Sequence, residues 1–181
     1  METVSHTHFL DPAAVIAAAG IAPGETVADF GCAAGYFSLP CAAAVGDDGT
    51  VIAIDILPSA LEAVESKARV MGRHIETRRA NIEKLGGSGL EDASVDWVIL
   101  KNVLFMSAHR EGMLAEAFRV VRDGGHALVV EWNDVQHGIG PQESDRISPE
   151  VMRDLLTQAG FGAVEEVHAG DYHYGMIAQK N

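Results

Sequence analysis

The chain has 181 residues, of which 48% are hydrophobic and 22% are charged, so the composition predicts a folded domain with one core and excludes general disorder. Its 13 basic and 26 acidic residues give a formal net charge of −13, which disfavours nucleic acid as a partner because phosphate backbones are repelled. No apolar run approaches the ~18 residues of a membrane span and no basic-then-apolar leader opens the sequence. We therefore expect a single domain over residues 1–181, no membrane partner and a cytoplasmic location. The two cysteines, Cys32 and Cys41, do not suggest a disulfide framework.

The first half of the chain alternates helices with strands. A helix over residues 11–20 comes first, because Asp11 can cap it, Pro12 suits its first turn and Gly20 permits a left-handed stop. The pattern then predicts strand 26–30, helix 36–45, strand 50–55, a helix from Pro58 and strand 75–80. The last of these strands is less apolar than the others, which predicts a position near the sheet edge.

The second half continues the alternation and ends with two strands. The pattern predicts strand 95–100, helix 109–121, strand 127–131, helix 148–160 and strands 163–168 and 172–179. Gly124 and Gly125 are expected to turn the chain from its helix into strand 127–131. Residues 1–10 form an N-terminal arm, and the irregular stretch 132–147 is either a substrate loop or a surface excursion.

Strands separated by helices predict a mostly parallel sheet, because parallel neighbours need a crossover connection. Continuous apolar strands fit a doubly wound α/β fold, in which helices cover both faces of the sheet. The final strand pair has no helix between its members, so we expect the last strand to be antiparallel. Ligands of such sheets bind beyond the carboxyl ends of the strands.

A glycine loop follows the first strand, and an acidic residue ends the second. Gly31 and Gly35 allow a sharp turn and a close approach of backbone N–H groups, and Asp55 can accept both hydroxyls of an adenosine ribose. The nicotinamide fingerprint needs glycines at positions 31, 33 and 36, but the last two are Ala33 and Tyr36. The bulky Tyr36 would crowd a pyrophosphate. The pattern therefore favours a nucleoside that carries an amino-acid tail.

Four segments together resemble class I S-adenosylmethionine-dependent methyltransferases. They are residues 27–37 (VADFGCAAGYF), 51–56 (VIAIDI), 94–100 (SVDWVIL) and 122–125 (RDGG). The resemblance, which rests on the order and spacing of these segments, covers most of the chain, from about Asp11 to Phe161. The resemblance implies a seven-stranded sheet of order 3-2-1-4-5-7-6 with strand 7 antiparallel, and S-adenosyl-L-methionine as the cofactor.

The resemblance also implies a set of cofactor-binding residues. Asp29 is placed near the methionine amino group, Asp55 at the ribose and Ile56 on the adenine face. Asn81 stands where the family commonly has Asp, and its oxygen can contact the adenine amino group. Ala33 replaces the middle glycine, which is tolerable if its φ is negative. The full implied set is Asp29, Gly31, Cys32, Ala33, Gly35, Tyr36, Asp55, Ile56, Asn81, Ile82, Lys101 and Asn102.

The catalytic candidates lie on the loops that follow the fourth and fifth strands. Methyl transfer is an in-line displacement that depends more on alignment than on acid–base groups, although some acceptors need a base. We expect His137, Asn102 and Asn133 to carry any such role, with Phe105 and Asp134 beside them.

No metal is expected, because the spacing of the candidate ligands His6, His8 and His137 matches no metal-binding pattern. Cys32 precedes a helix, which could lower its pKa, but a small filler residue is the favoured interpretation.

The sequence therefore predicts a methyltransferase that acts on a small molecule. Two alternatives stay open. The first is an RNA or protein methyltransferase that uses the arginines at positions 69, 73, 78 and 79. The second is a cofactor-binding module without turnover, or a nicotinamide enzyme.

Overall fold

The computed structural model describes residues 9–133 and 138–181, so the predictions for His6, His8, Asp134 and His137 lie outside the described residues. Its strands are β1 (Thr26–Phe30), β2 (Thr50–Asp55), β3 (Glu76–Arg79), β4 (Val95–Lys101), β5 (Val121–Trp132), β6 (Val164–His168) and β7 (His173–Gln179). Its helices are α1 (Pro12–Ala19), α2 (Ser38–Val45), α3 (Pro58–Val70), α4 (Arg110–Val120) and α5 (Pro149–Gln158), with a 3₁₀ turn at Glu143–Asp145. Among these described helices the longest has 13 residues, and none is long and apolar enough to span a bilayer.

The seven strands form one sheet in the order β3-β2-β1-β4-β5-β7-β6, which confirms the predicted topology. Strands β1 to β5 are parallel, whereas β7 runs antiparallel to both β5 and β6. Phe30 of β1 pairs with Ile54 of β2 and with Leu100 of β4, so these three strands end level with one another. Because β7 is antiparallel, it begins at this same edge, where His173 lies opposite Trp132.

Helices cover both faces of the sheet, as the continuous apolar strands predict. Successive side chains of a strand point to opposite faces. Phe30 accordingly packs in a core with residues of α4 and α5, such as Leu114 and Leu156. Val27 packs in a second core with residues of α1, α2 and α3, such as Val64. The site at the carboxyl edge thus stands on a sheet that is buried on both sides.

The predicted turn at Gly124 and Gly125 is wrong, because both glycines belong to β5. The strand begins at Val121, directly after α4, and its register against β4 shifts between Val121 and His126. Gly124 has a φ of +76°, and a Cβ at Gly125 would lie 2.7 Å from the Asp96 carbonyl oxygen. The two glycines therefore form a bulge that keeps the strand paired instead of ending it.

A buried carboxylate in α4 holds the segment that follows β3. Glu116 is fully buried, and it accepts hydrogen bonds from the backbone N–H groups of Gly86 and Ser88 at 2.6 and 2.9 Å. Arg119 bonds both of its oxygens, at 2.9 and 2.7 Å. Burial opposes the charge of Glu116, but these bonds outweigh it and lower its pKa to about 2. Residues 81–83 at the start of this segment line the cavity described below, and an ion pair inside the protein holds the residues that follow them.

We expect Glu116→Gln to lower the free energy of unfolding by about 2–4 kcal/mol, since it leaves the Arg119 guanidinium without its buried partner. Urea denaturation at pH 7 measures the change. Glu111→Gln, at an exposed position of the same helix, is the matched control and should change stability by less than about 0.5 kcal/mol. A loss no larger than that of the control would contradict the role given to Glu116.

Candidate active site

A cavity of about 670 Å³ opens at the carboxyl edge of β1, β2 and β4. This volume lies within the range of small-molecule sites. Of the predicted cofactor residues, those that line it are Asp29, Gly31, Cys32, Ala33, Tyr36, Asp55, Ile56, Asn81, Ile82, Lys101 and Asn102. Residues from the first, second, third and fourth strand ends therefore meet at one place.

The loop after β1 is bent by residues in left-handed conformation. Gly31 has a φ of +73°, and a Cβ there would lie 2.9 Å from Val103 Cγ2, so only glycine fits. The condition of a negative φ at Ala33 is not met, because its φ is +46°. This conformation costs an alanine about 1–2 kcal/mol. The Ala33 N–H donates to Asp55 Oδ2 at 3.0 Å, and this bond helps to hold the residue there.

Gly35 does not line the cavity. Its φ is +81°, and a Cβ at this position would lie 3.1 Å from Val64 Cγ2 of α3. The glycine therefore allows the loop to pack closely against α3. The structure gives it this packing role, and its implied contact with a cofactor stays a prediction.

Asp55 joins the ends of β1 and β2 through its carboxylate. Oδ2 accepts the Ala33 N–H at 3.0 Å, and Oδ1 accepts the Leu57 N–H at 2.9 Å. A carboxylate has about four acceptor positions, so each oxygen keeps one for a ligand. The two backbone bonds fix the direction in which those free positions point.

Apolar side chains continue the wall beyond β2. Ile56 and Leu57 line the cavity and are 56% and 58% exposed, which is unusual for side chains of this type. Asn81 and the buried Ile82 lie opposite, after β3. The Asn81 oxygen accepts the Glu83 N–H at 2.9 Å, which leaves one acceptor position for a ligand. A flat apolar group with a polar edge would cover these surfaces.

Asp29 of β1 also lines the cavity, and it is almost completely buried. The Ser38 hydroxyl donates to its Oδ2 at 2.5 Å. Burial raises the pKa of Asp29 to about 6, although the bonds from Ser38 act in the opposite direction. The neighbouring Cys32 is buried as well, and its burial raises its thiol pKa instead of lowering it. Cys32 is thus a small filler residue, not a reactive thiolate.

Lys101 and Tyr36 also line the cavity, and they face each other. The Lys101 ammonium lies 5.4 Å from the centre of the Tyr36 ring, which is within cation–π range. The Tyr36 hydroxyl donates to the Leu10 carbonyl at 2.5 Å. Tyr36 therefore holds its ring beside the glycine loop as a wall of the cavity.

Asn102 gathers three donors that sequence reasoning did not bring together. It has a φ of +52° at the end of β4, a conformation that asparagine tolerates. Its amide oxygen faces Lys101 Nζ at 2.9 Å, His173 Nε2 at 3.1 Å and Trp132 Nε1 at 3.2 Å. Lysine and tryptophan can only donate here, so the oxygen must be turned toward them. Asn102 also lines the cavity.

His173 was missed by the sequence analysis as a member of this group. Its Nδ1 is buried with no hydrogen-bond partner, and its ring lies 4.2 Å from that of Trp132. Burial lowers the pKa of His173 to about 4, so the ring is neutral at pH 7. The pairing of β5 with antiparallel β7 brings it here. The resemblance implied that pairing, but no local pattern in the sequence places His173 opposite Trp132.

The remaining catalytic candidates fall into different places. Asn133 is not a cavity residue; its side chain donates to the Asp171 carbonyl at 2.6 Å and so ties β5 to the turn before β7. Phe105 packs against the core beneath the sheet edge. His137 lies outside the described residues. Within the described ranges no group of three or more His, Cys, Asp or Glu residues is arranged to hold a metal ion.

Glu131 does not line the cavity, but it holds a turn that does. It is fully buried at the end of β5, where Oε1 accepts the N–H groups of Leu104 and Phe105 at 2.9 and 3.3 Å. Its Oε2 has no hydrogen-bond partner. Burial raises the pKa of Glu131 to about 7, against the effect of the backbone bonds. The side chain holds the turn after β4, which supplies Val103 to the cavity.

Known proteins share both the sequence pattern and the fold. A family model described as a methyltransferase domain matches residues 21–174, which is most of the chain. The chain belongs to this methyltransferase-domain family. A crystal structure of a SAM-dependent methyltransferase from Aquifex aeolicus matches with a TM-score of 0.85 and 24% identity, over 94% of this chain and 89% of that one. The likeness shows that the two proteins have the same fold.

Two curated relatives of this methyltransferase domain have named activities. An arsenite methyltransferase from Halobacterium salinarum is 29% identical over 161 residues, which are 81% of this chain and 40% of that protein. A ubiquinone/menaquinone biosynthesis C-methyltransferase from Haemophilus ducreyi is 31% identical over 116 residues, 63% of this chain and 44% of that protein. The chain thus spans about two fifths of the length of these relatives.

We expect Glu131→Gln to remove part of the pH dependence of stability. With a folded pKa of about 7 against an ordinary value of 4.5, protonated Glu131 stabilises the fold fully below pH 4.5, and that contribution is lost as pH rises through 7. The shift corresponds to about 3 kcal/mol. The free energy of unfolding, measured by urea denaturation, should therefore fall more between pH 5 and pH 8 in the wild type than in the variant. Asp29 titrates in both proteins, so its contribution cancels when the two are compared. If the free energy of unfolding fell equally in both, Glu131 would not titrate in this range.

Proposed function

We propose that this chain is a methyltransferase that transfers a methyl group from S-adenosyl-L-methionine to a small organic acceptor. The observation that carries the proposal is the cavity at the ends of β1, β2 and β4, which is lined by Asp55 at the end of β2 and by the buried Asp29 of β1. Membership in the methyltransferase-domain family supports the same activity.

The residues present fit this cofactor. The free acceptor positions of Asp55 suit the two ribose hydroxyls, and Ile56 and Leu57 offer exposed apolar surface that an adenine ring would cover. The buried Asp29 suits the cationic amino group of the tail. When bound, the cofactor would supply a methyl group on a positively charged sulfur. The chain would supply alignment, and Tyr36, Asn102 and Val103 would exclude water around the transferred group.

A nicotinamide cofactor fits the site less well. Its pyrophosphate would need a helix start close to the loop glycines, but α2 begins only at Ser38. The exposed ring of Tyr36 stands between the loop and this helix start. These features favour an uncharged sugar and an amino-acid tail over a dinucleotide.

The acceptor side favours an organic molecule over arsenite. Arsenic(III) is a soft acceptor that prefers thiolate ligands. The only cysteines of the 181 residues are Cys32 and Cys41; both are buried, and burial raises both thiol pKa values. The lining of the cavity instead offers the amide of Asn102 and the exposed side chain of Met106 to an acceptor. Such a surface suits a small molecule with an apolar body and a hydrogen-bond acceptor.

A macromolecular acceptor has weaker support. Three of the four arginines considered for it are engaged with separate partners: Arg73 with Asp47, Arg78 with the Gly89 carbonyl and Arg79 with the Ile56 carbonyl. The net charge of −13 further disfavours nucleic acid. The exclusion of nucleic acid and the cytoplasmic location both stay predictions.

We expect Asp55→Ala to weaken the binding of S-adenosylhomocysteine by about 1–3 kcal/mol, because the ribose would lose its hydrogen bonds. Titration calorimetry measures the affinity. 5′-Methylthioadenosine carries the same ribose and should lose a similar amount. Asp48→Ala, which removes an exposed carboxylate, is the control and should leave both affinities unchanged. Unchanged binding in Asp55→Ala would refute the ribose role.

The function itself is tested by binding and by transfer. In calorimetry, the wild type should bind S-adenosylhomocysteine and should not bind NAD. In a fractionated cell extract, it should transfer isotopic label from S-adenosyl-L-methionine to a small molecule. Tight NAD binding without response to S-adenosylhomocysteine would overturn the assignment. If label were found only in RNA or protein, the cofactor assignment would stand, but the acceptor would be a macromolecule. Binding without any transfer would indicate a non-catalytic module.

A further inference from the structure

Lys101 is the one cation among the described residues that line the cavity. The other charged side chains of the wall are the carboxylates of Asp29, Asp55 and Glu83. Each of these carboxylates accepts hydrogen bonds from neutral donors: Ser38 for Asp29, backbone N–H groups for Asp55 and Ser107 for Glu83. The three carboxylates are thus held by neutral donors and not by the ammonium group of Lys101.

The Lys101 ammonium has no carboxylate within 4.0 Å among the described residues. Its hydrogen-bond partner is the neutral Asn102 oxygen at 2.9 Å, and its other close neighbour is the Tyr36 ring. The side chain is half-buried, and this burial lowers its pKa, although the more distant charges of Glu131 and Asp29 act in the opposite direction. Burial costs an ammonium group free energy that an opposite charge would offset. An anion bound from the cavity would provide that charge.

The position of Lys101 indicates where the anion belongs on a ligand. Asp55 and Asn81 follow β2 and β3, whereas Lys101 follows β4, with β1 between β2 and β4. Neighbouring strands lie about 4.8 Å apart, so the β4 end is about 10 Å from the β2 end. An amino-acid tail attached to a ribose at Asp55 would extend in this direction. Lys101 and Asp29 are near enough for their charges to interact.

We propose that the Lys101 ammonium binds the α-carboxylate of the cofactor's amino-acid tail, while Asp29 takes the α-ammonium group of the same tail. This inference rests on the proposed function, because it assumes that S-adenosyl-L-methionine occupies the cavity. The pair Asp29 and Lys101 matches a zwitterion in charge. The other source of a carboxylate at this position is an anionic acceptor, and the experiment separates the two sources.

Three probes that differ in the tail provide the test. S-adenosylhomocysteine carries both charges, S-adenosyl-3-thiopropylamine lacks only the carboxylate, and 5′-methylthioadenosine lacks both. Wild type should bind S-adenosylhomocysteine at least 10-fold more tightly than the thiopropylamine. This comparison needs no variant, and equal affinities would overturn the proposal.

Lys101→Met should weaken the binding of S-adenosylhomocysteine 10- to 100-fold, which is the range expected for the loss of a charge-assisted hydrogen bond. It should bind the thiopropylamine as well as wild type or better, because a repulsion between two ammonium groups is removed. The affinity for methylthioadenosine should change less than twofold. Lys101→Arg should restore most of the preference for the carboxylate. Lys84→Met, at an exposed position, removes the same charge and should change none of the three affinities.

The remaining outcomes are equally distinct. Equal weakening of all three probes by Lys101→Met would show that Lys101 acts only by holding Asn102, and would overturn the proposal. Unchanged affinities together with a raised KM for the acceptor would assign the anion to the acceptor and overturn it as well. A wild type that binds none of the probes would instead overturn the proposed function.

Discussion

The carboxylate of Asp55 connects the two parts of the fold on which the site depends. It accepts one N–H from the loop after β1 and one from the segment after β2, and so fixes two strand ends to each other. Without the first of these bonds, Ala33 would have less to hold it at a φ of +46°. The same atoms that shape the loop point their remaining acceptor positions into the cavity. In the proposed function, one side chain therefore both shapes the loop and binds the ligand.

A second group of polar side chains stands at the ends of β4, β5 and β7. Asn102 turns its oxygen toward Lys101, Trp132 and His173, and Glu131 holds the turn that follows. These groups are largely removed from water, where hydrogen bonds are strong and missing partners are costly. Such a network keeps the cavity wall in one arrangement before a ligand arrives, and preorganisation of this kind is what an in-line transfer requires.

The charges of the cavity suit a ligand that is itself mostly cationic. Three carboxylates and one ammonium line the wall, whereas S-adenosyl-L-methionine carries a sulfonium, an ammonium and a carboxylate. Because Asp29 and Glu131 both have raised pKa values, part of the negative charge near the site depends on pH between about 6 and 7. The acidic character of the whole chain thus continues into the site, and Lys101 is the local exception.

The sequence by itself determined the alternation of strands and helices, the position of the glycine loop and the placement of Asp55 at the end of β2. These features follow from local patterns, since apolar runs, helix caps and turn residues act over a few positions. The strand order was implied by the resemblance of four segments to the methyltransferase family. Tertiary structure alone decided the conformation of Ala33, the bulge at Gly124 and Gly125, and the meeting of Asn102 with His173. Each of these depends on contacts between residues distant in the chain: an N–H that reaches Asp55, a register shift against β4, and the antiparallel pairing of β5 with β7. A sequence pattern records which residues are adjacent along the chain, but not which strand ends the folded sheet brings together.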